Sequence, residues 1–282
     1  MLHIPSSGIL PETRFGRAGR ATRTSRASRI AGFVLAVLAF ALSPASADHS
    51  VFAFEARQWA AEPSGSFSFD AGPIGETLGL ESDLGLQEDD ALEGRLVFRP
   101  SRKTLIRIGY VPEIALEGDK VLTRTFTVLS QTFSVNERVV TAFDVEYGKI
   151  GFAWQFLASR DGRFRVGPLV EAKGFRADLG LSAPDVAPPV LETEKYEAGF
   201  VSAGLIADLE FSDRVELFGE ATEVVSGDEG DVSETEIGIR YLPIPKVAVV
   251  GGLRTLEIEV KDTDQRFVFE LDGVFLGIGV RF

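Results

Sequence analysis

Two histidines, no cysteine and 42 acidic side chains bound the chemistry open to this 282-residue chain. Activating a serine or a water usually takes a histidine base. The histidines are His3 and His49, and neither lies near the serines of the long connections described below. Without cysteine there is no disulfide framework and no lipid-anchored N-terminal cysteine, and a structural zinc site lacks its usual ligands. Carboxylates abound, so hydrolysis by a carboxylate pair is chemically open, but no single pair stands out. The acids between Ala60 and Glu93 (Glu62, Asp70, Glu76, Glu81, Asp83, Glu88, Asp89, Asp90 and Glu93) occur without any Lys or Arg. They suit divalent cations or a solvated loop. The Asp-x-Asp-x-Asp-Gly spacing of a calcium loop is missing, which favours the solvated loop. No metal or cofactor is expected.

The elements that would position such groups begin after an export segment. Arg14, Arg17, Arg20, Arg23, Arg26 and Arg29 precede an apolar run from Ile30 to Leu42, and Ala45-Ser46-Ala47 supplies the small residues of a cleavage site. Residues 1–47 therefore read as a signal peptide cleaved after Ala47. Thirteen apolar residues are short for a membrane anchor, which needs about 20. Taking six arginines and Glu12 from 29 basic and 42 acidic residues leaves 23 and 41, a net charge of −18. So acidic a chain does not suit nucleic acid, whose phosphates attract cations.

Residues 48–282 form one domain by this reading, and no later apolar run is long enough for a spanning helix. Any crossing of a membrane would have to be made by a closed β-barrel, in which every backbone polar group is paired. The spacing predicts ten strands, with eight as the alternative: Val51–Trp59, Gly94–Arg99, Thr104–Val111, Val139–Leu157, Phe164–Arg176, Tyr196–Phe211, Val215–Val225, Glu234–Leu242, Val247–Val260 and Phe267–Phe282. Pro100–Lys103, Ala158–Arg163, Ser212–Arg214 and Pro243–Lys246 are tight turns, and the alternate connections are longer. That alternation distinguishes periplasmic turns from external loops. Phe98, Trp154, Phe156, Phe164, Phe211, Tyr241 and Phe282 gather near the tight turns or the last residue, as an interfacial girdle does. A soluble β-sandwich also alternates, but has no need of aromatics on one turn side.

The last stretch carries the strongest pattern. Val274, Leu276, Ile278, Val280 and Phe282 share one strand face; Phe275, Gly277, Gly279 and Arg281 share the other. Here the chain resembles the small outer-membrane β-barrel proteins of Gram-negative bacteria, in which a terminal Phe commonly closes the last strand and serves as an assembly signal. The resemblance implies an all-β, antiparallel up-and-down barrel in the cell outer membrane. Its implied partners are outer-membrane lipid, lipopolysaccharide and the barrel assembly machinery, with Phe282 as the signal.

Function follows less directly. A scaffold displaying acidic external loops is the first expectation, a narrow gated pore the second, and a lipid-modifying or hydrolytic enzyme the third. Ten strands lie near the size at which side chains fill the interior. Pairing the last two strands so that residue numbers sum to 527 sets Val250 against Gly277 and Gly252 against Phe275. The same register sets Leu256, Ile258 and Val260 against Leu271, Phe269 and Phe267. The hairpin should therefore continue beyond the lipid with its apolar face turned, through a distortion near Gly273. Joining the middle strands by their shortest connections predicts a belt of charge inside the tight-turn end. Arg165 faces Glu210, Glu210 lies beside Glu216, and Glu216 faces Arg240. Lys246 and Arg281 continue the belt, and Glu55 meets Arg281 where the barrel closes.

Overall fold

The structure, a computed structural model, describes residues 51–69, 76–128, 131–186, 190–225, 230–262 and 265–282. Ala47 and His49 lie outside the described residues. Period-two runs of Val, Ile, Leu and Phe give strands throughout. They are β1 (Phe52–Phe69), β2 (Glu76–Gly79), β3 (Asp89–Phe98), β4 (Thr104–Val121), β5 (Phe126–Val128), β6 (Gln131–Phe133) and β7 (Arg138–Trp154). β8 (Leu157–Ala158), β9 (Phe164–Ala183), β10 (Val190–Ser212), β11 (Val215–Val224), β12 (Gly230–Ile244), β13 (Val247–Asp262) and β14 (Gln265–Arg281) follow.

Ten of these form a closed antiparallel barrel in the order β1-β3-β4-β7-β9-β10-β11-β12-β13-β14, with β14 returning to β1. The seam is a ladder in one register from Ala53↔Arg281 to Phe69↔Gln265, interrupted at Ala60 and Ala61. Phe52 and Phe282 extend it, the Phe282 amide donating to the Phe52 carbonyl at 2.8 Å. β2 adds to the far end of β1, β5 and β6 form a separate hairpin, and β8 sits in the turn before β9.

The wall has two zones. Towards the tight turns the outer face is apolar, with Val201, Leu205, Ile237, Leu253, Val274 and Leu276 each 58–66% exposed. An apolar outer band of this kind suits lipid. Phe52, Trp154, Phe156, Phe164, Phe211, Tyr241 and Phe282 stand exposed at its lower edge, and Phe98 stacks on Phe52 at 4.7 Å. Towards the long connections the apolar residues move inside. Leu256, Ile258, Phe269 and Leu271 are buried there, while Glu257 faces out.

The β13–β14 register sums to 527 along its whole length, and pairing runs from Val247↔Val280 to Asp262↔Gln265. No slip occurs against β13 at Gly273; the expected distortion is confined to the other side, where the ladder to β1 lapses at Ala60 and Ala61 opposite Val274 and Gly273. The strand keeps its alternation, and only the chemistry of its two faces is exchanged. Gly273 instead permits a close approach, since a Cβ there would run into the Ala60 carbonyl.

The strands also reach further than the sequence pattern suggests. β1 extends ten residues past Trp59 and β4 ten past Val111. β4 continues by way of a register shift between Val111 and Ile114, where Pro112 has no N–H to give to a ladder. The segment expected as a solvated loop between Ala60 and Glu93 is largely structured. Leu78, Leu80, Leu84 and Leu86 from it are 1–2% exposed. They join Ile114, Leu116, Leu122, Phe126, Phe133, Phe143 and Phe269 in an apolar plug inside the long-connection half.

A candidate functional site: the charged lumen

Below the plug the lumen is filled with ion pairs. Each strand places its inner-face charges by simple alternation, often as i, i+2 pairs: Glu55/Arg57, Glu93/Arg95, Glu171/Lys173 and Glu234/Glu236. All eight side chains are 1–4% exposed. Glu236 is the hub of one half. Arg57 Nη1 donates to its Oε1 at 2.7 Å, and Arg95 Nη2 to its Oε2 at 2.7 Å. Arg95 also donates to Glu93 at 3.0 Å, and Arg57 Nε to Glu55 at 2.8 Å. Glu234 is the hub of the other half. Lys149 Nζ lies 2.6 Å away, Lys173 Nζ 2.8 Å, Arg254 Nη2 2.8 Å, and the Tyr147 hydroxyl donates at 2.7 Å. Arg107 links Glu171, at 2.8 Å, to Glu220.

Aromatic faces close the gaps between these groups. The Arg254 guanidinium lies 4.4 Å from the Trp59 ring centre, and that of Arg240 lies 3.9 Å from Phe218. Phe275, opposite Gly252, carries Arg57 over its ring at 4.8 Å. A β-carbon at position 252 would press on that ring, so the large residue fits because its partner is glycine.

The expected belt at the tight-turn end is assembled with changes of partner. Glu210 pairs with Glu216, and Glu216 with Arg240, in direct register. Arg240 donates to Glu216 at 3.2 Å, and Arg281 to Glu216 at 2.6 Å. Arg165 is directly opposite Asp208, not Glu210, because the register is set by a ladder that continues to Ala183↔Val190, inside the stretch expected as a long connection. It still reaches Glu210 diagonally at 2.6 Å. Glu55 is paired with Gly279, while Ala53 takes the place opposite Arg281. Glu55 therefore accepts from Arg240 at 2.8 Å, and the expected Glu55–Arg281 contact is replaced. Lys246 is half-buried in the turn between β12 and β13. Asp208 adds a further layer, held by Arg99 at 3.1 Å and Gln155 at 2.7 Å.

The sequence reading did not place the mid-lumen residues Arg57, Arg95, Arg107, Lys149, Glu171, Lys173, Glu220, Glu234, Glu236 and Arg254 there, and Glu93, expected among solvated loop acids, is buried with them beside Arg95. The legible signal was charge at alternate positions inside apolar strands. Glu220, Glu234 and Glu236 bring three carboxylates within 4.8 Å of one another, in a geometry open to a metal ion. Lys149 already provides cationic charge there, 2.6 Å from Glu234 and 3.6 Å from Glu220.

Acids of the long-connection half lie largely on strand walls. Asp144 stands opposite Asp178. Burial, and then the charges of Glu113, Asp178, Glu117 and Asp89, push the Asp144 carboxyl above its ordinary value. On the seam side, burial and the neighbouring Asp272 push Glu270 up likewise. Between the two zones, Tyr110, Gly148, Gly174 and Gly199 are paired in a row across β4, β7, β9 and β10. They line an outer-wall groove of about 470 Å³ beneath Glu146, Arg176 and Glu197. Those groups satisfy one another: Arg176 donates to Glu197 at 2.8 Å and to Glu146 at 3.1 Å.

The likeness to solved proteins lies in the architecture. The outer membrane protease OmpT from Escherichia coli superposes with a TM-score of 0.55 at 8% identity, over 85% of this chain and 99% of that one. The translocator domain of the autotransporter NalP from Neisseria meningitidis gives 0.48 at 10% identity, over 92% and 97%. The fold is that of the small outer-membrane β-barrel proteins. No known family matches the sequence, and no curated protein does.

Proposed function

We propose that the protein is a closed outer-membrane scaffold that presents a carboxylate-rich wall to the outside and conducts no solute. The observation carrying this reading is the double occlusion of the lumen by an ion-paired middle and an apolar plug. In such a barrel the tight turns are periplasmic and the long connections external. Residues 1–47 act as an export signal cleaved after Ala47, and Phe282 as the signal read by the assembly machinery, with lipid and lipopolysaccharide around the wall. Proteolysis, the activity of OmpT, gains no support: no histidine lies among the described residues, and the lumen acids described above are held by arginines and lysines.

Recording from planar bilayers tests the reading. The folded protein should insert without stepwise conductance between pH 5 and 8. A reproducible open level would favour the gated pore instead.

A further inference from the structure

We propose that the tight-turn rim is a docking surface for anionic phospholipid headgroups of the adjacent leaflet. The proposal rests on the membrane reading above and adds a charge preference to it. Every one of the four tight turns brings cations to the rim. Arg102 and Lys103 lie between β3 and β4, Arg160 and Arg163 between β7 and β9, Arg214 between β10 and β11, and Lys246 between β12 and β13. All but Lys246 are exposed. Taken in barrel order, these turns distribute positive charge around the circumference. The same turns hold two acids, Asp161 and Asp213. Asp161 accepts from the Ser159 hydroxyl and the Arg163 amide, and Asp213 lies 3.6 Å from Arg163. The rim therefore keeps a positive excess.

Depth is set by the rings beside it. Trp154, Phe156, Phe164, Phe211, Tyr241 and Phe282 are 42–73% exposed on the outer face next to these turns. Rings so placed belong at headgroup level, which puts the neighbouring cations beside lipid phosphates, their aliphatic stems lying along the apolar band. Zwitterionic lipid offers a phosphate but no net charge, whereas a phosphatidylglycerol headgroup is anionic and is drawn to several cations at once. The opposite end of the wall, with Asp144, Asp178, Glu257 and Glu270 near the long connections, repels the same headgroup. The preference is thus confined to one end.

Native mass spectrometry of the folded protein in detergent doped in turn with phosphatidylglycerol, phosphatidylcholine or lipopolysaccharide tests this. The expected result is selective retention of phosphatidylglycerol, weakened by salt because exposed charges are screened over about 8 Å at physiological ionic strength. The combined variant Lys103→Gln, Arg160→Gln and Arg214→Gln alters exposed turn residues and should keep its heat-modifiable mobility. It should lose the preference by roughly tenfold, while Arg138→Gln at the far end keeps it. Equal retention of both lipids by the unmodified protein, or an unchanged preference in the triple variant, would overturn the proposal. So would lipopolysaccharide being retained in place of phosphatidylglycerol and lost in the same variant. Failure of the protein to give a folded, heat-modifiable form in detergent would instead count against the membrane reading itself.

Discussion

Glu236 accepts from two guanidinium groups on neighbouring strands, Arg57 and Arg95, with its own side chain fully buried. Replacing it with glutamine keeps the shape and removes the charge both arginines face. Glu236→Gln should lower stability by about 3–5 kcal/mol, the usual range when one partner of a buried pair is lost, and urea unfolding in detergent would measure it. On the outer wall the sign reverses. Glu270 has its carboxyl pushed up by burial and by Asp272, so its ionisation in the folded state is disfavoured. That penalty is absent below its unfolded value and grows as pH rises through the raised folded one. Glu270→Gln should therefore melt higher than the parent at pH 7, and the difference should vanish near pH 4. Glu216 and Arg240 were readable as partners because the sequence leaves only a short connection, Ser226–Ser233, between their strands. Arg165 was read two residues out of place because β9 and β10 pair as far as Ala183↔Val190, inside a stretch that the sequence reading left as a long connection.

Strand ends were the least legible elements, for a physical reason. A reading tuned to an apolar outer face stops where apolar residues change sides, as they do beyond Arg254 on β13 and before Val274 on β14. Beyond that level water lies outside and the plug inside, so the alternation persists while the chemistry of each face inverts. Leu78, Leu80, Leu84 and Leu86 held the clue, spaced as a short inward-facing series within an otherwise acidic segment. Leu84→Ala should cost about 2–5 kcal/mol, as truncation of a buried leucine does, seen as a lower melting temperature. Conductance should stay at zero in this variant, because the ion pairs below the plug close the lumen independently. A stepwise current would show that the plug alone seals the barrel.

Strand number and topology were legible throughout, because tight turns, longer connections and turn-side aromatics all report the same ten-strand wall. The partners of the mid-lumen charges were not, since ion pairs that cross the lumen join residues as far apart as Arg57 and Glu236, a relation that no local pattern encodes. Deleting Phe282 removes the amide that donates to Phe52. The amount of folded, heat-modifiable protein recovered from membranes should fall several-fold, and unchanged abundance would remove Phe282 from the role of assembly signal.

The seam also governs the order of events. β1 pairs on one side with β14, more than two hundred residues later in the chain, so the ring stays open until the last strand arrives. Contacts of such long range make for slow folding, and until closure two strand edges remain available to other chains. Once shut, the wall has no outermost strand from which to peel, and freeing any single strand must break the ladders on both of its sides.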